Sequence, residues 1–174
     1  LFLPNSMAID NQGNLFLGLL RIIYKVNLQT GIINIFAGND TAGFSGDGGL
    51  ATAAMIEGVR YLETDGEGNL FFSDTNRIRV VTTDGNINTF VGNGSTDFFG
   101  NNISALEAGI ITIDGLSVTP IDQLVFVDNN SGNVLRAVQT NRATLTGTPS
   151  QTDVGSNAIS LTVSNGVESA NQSF

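Results

Sequence analysis

Gly13-Asn14-Leu15-Phe16-Leu17 returns as Gly68-Asn69-Leu70-Phe71-Phe72 and, more loosely, as Asp122-Gln123-Leu124-Val125-Phe126. Leu15 and Leu70 lie 55 positions apart, and Leu70 and Leu124 lie 54 apart. A fixed period of that size means one supersecondary unit set side by side, each copy burying its apolar surface on the next. Within the first copy the pattern predicts strands over 6–10, 15–19, 22–26 and 32–37, with turns at 11–14 and 27–31. The second copy predicts strands over 59–64, 69–73, 78–82 and 87–91. Asp65-Gly66-Glu67-Gly68 reads as a turn, and Asp84-Gly85 as a two-residue hairpin loop, since that dipeptide tolerates positive φ. The third copy predicts strands over 116–119, 123–128 and 133–138, with Arg142 to Thr146 the best candidate for its fourth.

Four antiparallel strands per unit make one propeller blade. Blades stack face to face, so both faces of a middle strand are covered, and its apolar run need not alternate. Only 51–57 and 103–108 have room for a helical turn or two. The expected fold is therefore all-β. It comprises three four-stranded antiparallel blades of an incomplete β-propeller, over about 1–57, 58–110 and 111–142. A C-terminal β-hairpin or partial β-sandwich follows over 143–174. Three blades are too few to close a ring.

Asn14-Leu15-Phe16-Leu17, Asn69 to Asp74 with Asn76-Arg77-Ile78-Arg79-Val80, and Asp128 with Asn133-Val134-Leu135-Arg136 resemble the NHL-repeat β-propeller. The glycine-rich stretch from Phe36-Ala37-Gly38-Asn39 through Gly43 to Gly49 and on to Ala51-Thr52 is similar to the inter-blade insertion of secreted bacterial NHL proteins. The third copy departs from the pattern, with Pro120-Ile121-Asp122-Gln123 replacing the glycine turn. The resemblance implies closure with five or six blades, of which this chain supplies three. Leu145 to Pro149, Asp153-Val154-Gly155, Leu161 to Gly166 and Gln172-Ser173-Phe174 resemble the second half of a bacterial Ig-like or cadherin-like domain. The alternative for that stretch is a hairpin of 158–164 and 168–174 docked on the last blade.

Composition narrows the chemistry. Seven basic residues against sixteen acidic ones give a net charge of −9, which disfavours nucleic acid and anionic lipid. No apolar run is long enough to cross a bilayer as a helix. Cys and His are absent, so disulfides, thiol catalysis, zinc fingers and Ser-His-Asp chemistry are excluded. A metal-dependent lyase relying on His ligands is excluded with them. The chain begins at Leu1 without a leader-like segment and is expected to be a processed or partial stretch.

Each candidate site has an ordinary reading beside the functional one. Gly43 to Gly49 lacks the Lys-Ser/Thr or the strand–loop–helix setting of a phosphate loop and is expected to be structural, with Asp47 capping the turn near Leu50. Asp10, Asp65, Asp74 and Asp128 sit at similar places in their repeats; turn hydrogen bonding is expected of them rather than Ca²⁺ binding. Arg77, Arg79 and Arg136 are expected to occupy equivalent places and to brace neighbouring blades. Glu57, Glu63, Glu67, Glu107 and Glu168 read as solvated or turn residues, and Tyr24 and Tyr61 are the only tyrosines for an aromatic platform. Five Asn-x-Ser/Thr triplets make Asn39, Asn93, Asn102, Asn129 and Asn171 candidate N-glycosylation sites.

These readings point to a non-catalytic extracellular or cell-surface protein, part of a self-assembled fibre or a larger adhesin-like scaffold. No catalytic residue, metal or cofactor is expected. Its partners would be further copies of itself, the rest of a longer chain, or glycans. The alternative is a propeller module binding carbohydrate or peptide, and then a lactonase- or lyase-type enzyme.

Overall fold

The computed structural model describes residues 3–98, 103–129 and 134–140, together with the backbone of Ser160–Ser164 and Ser169–Ser173. The fold is all-β, as expected. Blade 1 is β1 (Ser6–Ile9), β2 (Asn14–Gly18), β3 (Ile23–Asn27) and β4 (Ile33–Ala37), antiparallel in that order. Blade 2 contains β5 (Gly49–Leu50), β6 (Val59–Thr64), β7 (Leu70–Asp74), β8 (Arg77–Val81) and β9 (Asn86–Val91), ordered β5-β9-β8-β7-β6. Blade 3 is β10 (Ile113–Val118), β11 (Gln123–Asp128) and β12 (Val134–Gln139). β13 (Ser160–Ser164) and β14 (Ser169–Ser173) pair antiparallel as a two-stranded sheet. The expected strand from Arg142 to Thr146 lies outside the described residues.

Three details differ from the sequence reading. The glycine-rich insertion is not all loop: Gly49 and Leu50 pair with Ile87 and Asn86, adding a fifth strand to blade 2. Gly48 and Ala51 donate backbone N–H bonds to Ile87 O and Gly85 O and extend that contact. The β8–β9 link spans Thr82 to Gly85, and only Gly85 has positive φ (83°), so it is not a two-residue turn. Asp84 shapes it by accepting from Thr82 Oγ1 and Asn86 Nδ2. The expected helical turns at 51–57 and 103–108 shrink to single 3-10 turns, Ala51–Ala53 and Ala105–Glu107.

Adjacent blades bury a face against each other. One core joins Phe16, Ile23 and Ala37 of blade 1 to Leu62, Leu70, Phe72, Val81 and Ile87 of blade 2. A second joins Phe71, Ile78, Val80 and Val91 of blade 2 to Ile113, Leu124 and Phe126 of blade 3. Every residue of β7 is buried, because it is sandwiched, whereas β2 alternates, because only one of its faces is covered. Full burial of side chains this size is worth roughly 1.5–3 kcal/mol each.

Candidate functional site

The four aspartates of the repeat divide into two sets. Asp10 and Asp65 close the turn before the second strand of their blades. Asp10 Oδ1 accepts from the N–H of Gln12 and Asn14, and its Oδ2 accepts from Asn14 Nδ2 at 2.7 Å. Asp65 repeats those bonds with Glu67 and Asn69. In blade 3 Thr119 takes over, its Oγ1 accepting from Gln123 N–H. Burial works against the Asp10 charge, but the Asn14 and Gln12 hydrogen bonds outweigh it and hold its carboxyl below the usual range.

Asp74 and Asp128 form the other set, at the ends of β7 and β11. Asp74 Oδ1 accepts from Glu57 and Gly58 N–H, and Asp128 Oδ1 from Ile111 and Thr112 N–H. These are the last residues of the connector entering each blade. The second oxygen of each carboxylate faces an arginine: Arg79 at 3.4 Å from Asp74, and Arg136 at 3.0 Å from Asp128. Desolvation nevertheless raises the Asp74 pKa despite its bonds to Gly58, Arg79 and Glu57.

Arg79 and Arg136 are equivalent; Arg77 is not, contrary to expectation. Fully buried Arg79 donates to Met55 O, Ser45 O and Asp47 Oδ1, all within the insertion, at 2.8–2.9 Å. Its guanidinium sits 4.9 Å from the Phe44 ring centre. Arg136 donates to Gly109 O and lies 5.4 Å from the Phe98 ring centre. Arg77 lies over the other insertion contact, 4.0 Å from the Phe44 ring centre, and donates to Asn93 O. Asp47 does not cap the turn at Leu50; it bonds Arg79 and Thr89 instead.

The connector itself is duplicated. Gly38 and Asn39 donate backbone N–H to Ala51 O and Ala54 O; Gly92 and Asn93 do the same to Ala105 O and Ala108 O. A Cβ on Gly38 would lie 2.1 Å from Arg21 O, and one on Gly92 2.8 Å from Asn76 O. Both glycines also have positive φ. Asn39 and Asn93, two of the candidate sequons, use their side chains here. Their Nδ2 groups donate to Ala53 O and Glu107 O, and their Oδ1 atoms accept from Thr41 and Ser95 N–H. Asn129 is exposed, and its Nδ2 donates to Asp114. Asn102 lies outside the described residues, and Asn171 falls in β14.

Glu57, Glu67 and Glu107 are exposed as expected, but Glu63 is half-buried on β6, and burial pushes its carboxyl up. Glu168 lies outside the described residues. Tyr61 sits beside Arg60 and Asn5 in a shallow cleft, and Tyr24 lies on a blade face, so the tyrosines form no shared platform. Among the described residues no group of three acidic side chains is placed to hold a metal ion.

The two end faces form the feature that sequence reasoning could not place. In each blade the front is the face turned toward the preceding blade, and the back is the opposite face. Register sets Met7, Leu17, Tyr24 and Ile35 in one row on the front of blade 1, and Ile9, Leu15, Val26 and Ile33 in the next. The matching positions of blade 2 are covered: Leu62 is 6% and Ile87 0% exposed, against 71% for Met7 and 54% for Ile33. At the other end, Leu135 pairs with Val127 as Ile23 pairs with Gly18 and Ile78 with Ser73. Ile23 and Ile78 are 0% exposed, whereas Leu135 is 70% exposed.

No family model matches the chain, and no curated protein matches it. Solved structures do match, and they establish a fold of β-propeller type. An auxiliary nutrient binding protein from Bacteroides thetaiotaomicron shares 15% identity with a TM-score of 0.61, over 75% of this chain and 36% of that one. A nidogen/laminin complex gives 15%, 0.54, 77% and 43%. A protein assigned as a gluconolactonase gives 13%, 0.54, 78% and 44%. The chain thus spans less than half the length of the structures it matches.

Proposed function

We propose that this chain is a non-catalytic extracellular structural and interaction protein, working through its blade faces within a self-assembled surface structure or a larger adhesin-like scaffold. The observation that carries this reading is the pair of open apolar faces. Residues buried completely at the two internal joints have exposed counterparts at both ends. Exposed apolar surface of this kind, backed by regular strands, is what recruits another protein surface. The arginines serve architecture in this reading: Arg79 and Arg136 spend their donors on the connectors. The acidic, Asn- and Thr-rich composition supports cell-surface placement in this reading. Glycans on Asn39, Asn93, Asn102, Asn129 or Asn171 belong to the same reading. Sedimentation of the purified chain tests it: association that rises with protein concentration is expected, and a strict monomer at all concentrations would overturn it.

A second reading, a carbohydrate-binding propeller, has one observation in its favour. A cleft of about 500 Å³ beside blade 2 is lined by Glu67, Asn69, Thr82, Asn86 and Asn88 around the edge-to-face pair Phe71–Phe90. Amide and hydroxyl groups around an aromatic surface suit a sugar. A glycan array would detect it.

A further inference from the structure

We propose that the front face of blade 1 is covered by the back face of blade 3 from a second copy of this chain, and that two such joints close a ring of six blades. This rests on the interaction reading above and names its partner and geometry.

Three observations lead to it. The first is positional identity with joints already made. The front of blade 1 presents Met7, Leu15, Leu17 and Val26 where blade 2 presents Leu62, Leu70, Phe72 and Val81. Blade 2 buries that set on a back face, the one carrying Phe16 and Ile23. The surface that fits the front of blade 1 is therefore a back face of the same register. Among the described residues blade 3 has one uncovered, with Leu135 at the position of Ile23 and Val125 at that of Phe16. The two faces lie at opposite ends of the three blades, so one copy cannot cover its own front with its own back, whereas a second copy brings the matching face.

The second observation is the missing clamp. Each blade that receives a glycine-rich connector carries an Asp–Arg pair to hold it: Asp74 with Arg79, and Asp128 with Arg136. At the matching positions blade 1 has Leu19 and Tyr24. Its front face is built for a sheet that arrives without such a connector, as a sheet from a separate chain would. The rows that meet are also free of charged side chains, which matters for two copies that each carry −9.

The third is size. The matched part of this chain spans 36%, 43% and 44% of three propeller-type structures, so two copies supply most of one ring. A pair in which each front face meets the other copy's back face has twofold symmetry and leaves no blade face open.

The test uses the 174-residue chain with Met7→Glu on the front face and Leu135→Glu on the back. Both side chains are exposed, so each monomer is expected to fold, which circular dichroism confirms. The wild type should sediment at twice 18.2 kDa. Each variant alone should dimerise about 100-fold more weakly, the effect of an unpaired charge at an apolar contact. Mixed in equal amounts, the two variants should form a one-to-one pair through the one intact joint, and nothing larger. If both variants associate like the wild type, another surface joins the copies: this proposal fails while the interaction reading stands. A Leu135→Glu chain that still dimerises alone means front meets front, which overturns the pairing. Wild-type chains longer than two copies overturn the ring. A Leu135→Glu variant that melts lower as a monomer shows that the chain's own C-terminal segment covers blade 3, which also overturns it. A wild type that stays monomeric overturns both this proposal and the reading beneath it.

Discussion

A single carboxylate fixes each repeat's first turn. Asp10 and Asp65 each accept three hydrogen bonds from residues two and four positions on, so an Asp at that place followed four residues later by Asn encodes the turn locally. Replacing Asp65 by Ala should cost about 1–3 kcal/mol, since three partly buried donors lose their acceptor, and urea unfolding measures it. This set was legible because all its partners lie within four residues. The Asp74 set was not: its backbone partners are 16 and 17 residues away, across the β6–β7 hairpin. Glu63 gives the pH-dependent case. Burial raises its folded pKa above the unfolded value, so the fold binds its proton more tightly than the unfolded chain does. Stability from this group is present below the unfolded pKa and is lost as pH rises through the folded one. Glu63→Gln should therefore raise the melting temperature at neutral pH and lessen the decline across the mildly acidic range. Equal melting of the two proteins at pH 7 would show Glu63 to be fully solvated.

At the scale of elements, the connector and the clamp decide how one blade is set against the next. Phe44, Asp47, Ser45 and Met55 converge on one guanidinium, and Phe98 and Gly109 on another. Arg79→Met should be strongly destabilising, about 3–5 kcal/mol, because Asp74 and two carbonyls would stay buried without their donor. Arg77→Met should cost far less, since Arg77 is half-exposed and makes one backbone hydrogen bond. Chemical denaturation of the two variants side by side distinguishes them. The sequence shows three arginines in similar company. Register separates them: Arg79 lies opposite Phe72 and Arg136 opposite Phe126, whereas Arg77 lies opposite Asp74, one row further along the same face. A three-residue difference in the β-hairpins hid that match, since Asp74 precedes its arginine by five positions and Asp128 by eight. The fifth strand, Gly49–Leu50, was also illegible, because its pairing is supplied by β9 and not by its own residues.

For the whole molecule, burial depends on position in the stack more than on residue type. Ile23 and Leu135 occupy the same register position and differ from fully covered to mostly exposed. Ile23→Ala should cost about 2–5 kcal/mol in any state of association, as a cavity in a closed core does. Leu135→Ala should leave a monomer's stability nearly unchanged and act on association instead. Thermal melts at low and high protein concentration separate the two effects. Association should strengthen with added salt, because like-charged copies are screened while the apolar contact is retained. A loss of intact mass on enzymatic deglycosylation of native material would report glycans, and an unchanged mass would remove them from the account.

The sequence by itself determined the repeat, its strands and most of its turns, because a 55-residue period, apolar runs and Asp, Asn and Gly turns act over a few neighbouring residues. It determined the all-β class for the same reason. Only the tertiary structure decided which arginine holds which connector, which strand of the insertion joins a sheet, and which faces stay open. Those outcomes depend on groups brought together from 16 to 55 positions apart. Covering a residue requires a neighbouring sheet, and whether one exists is not written in the residue that needs it.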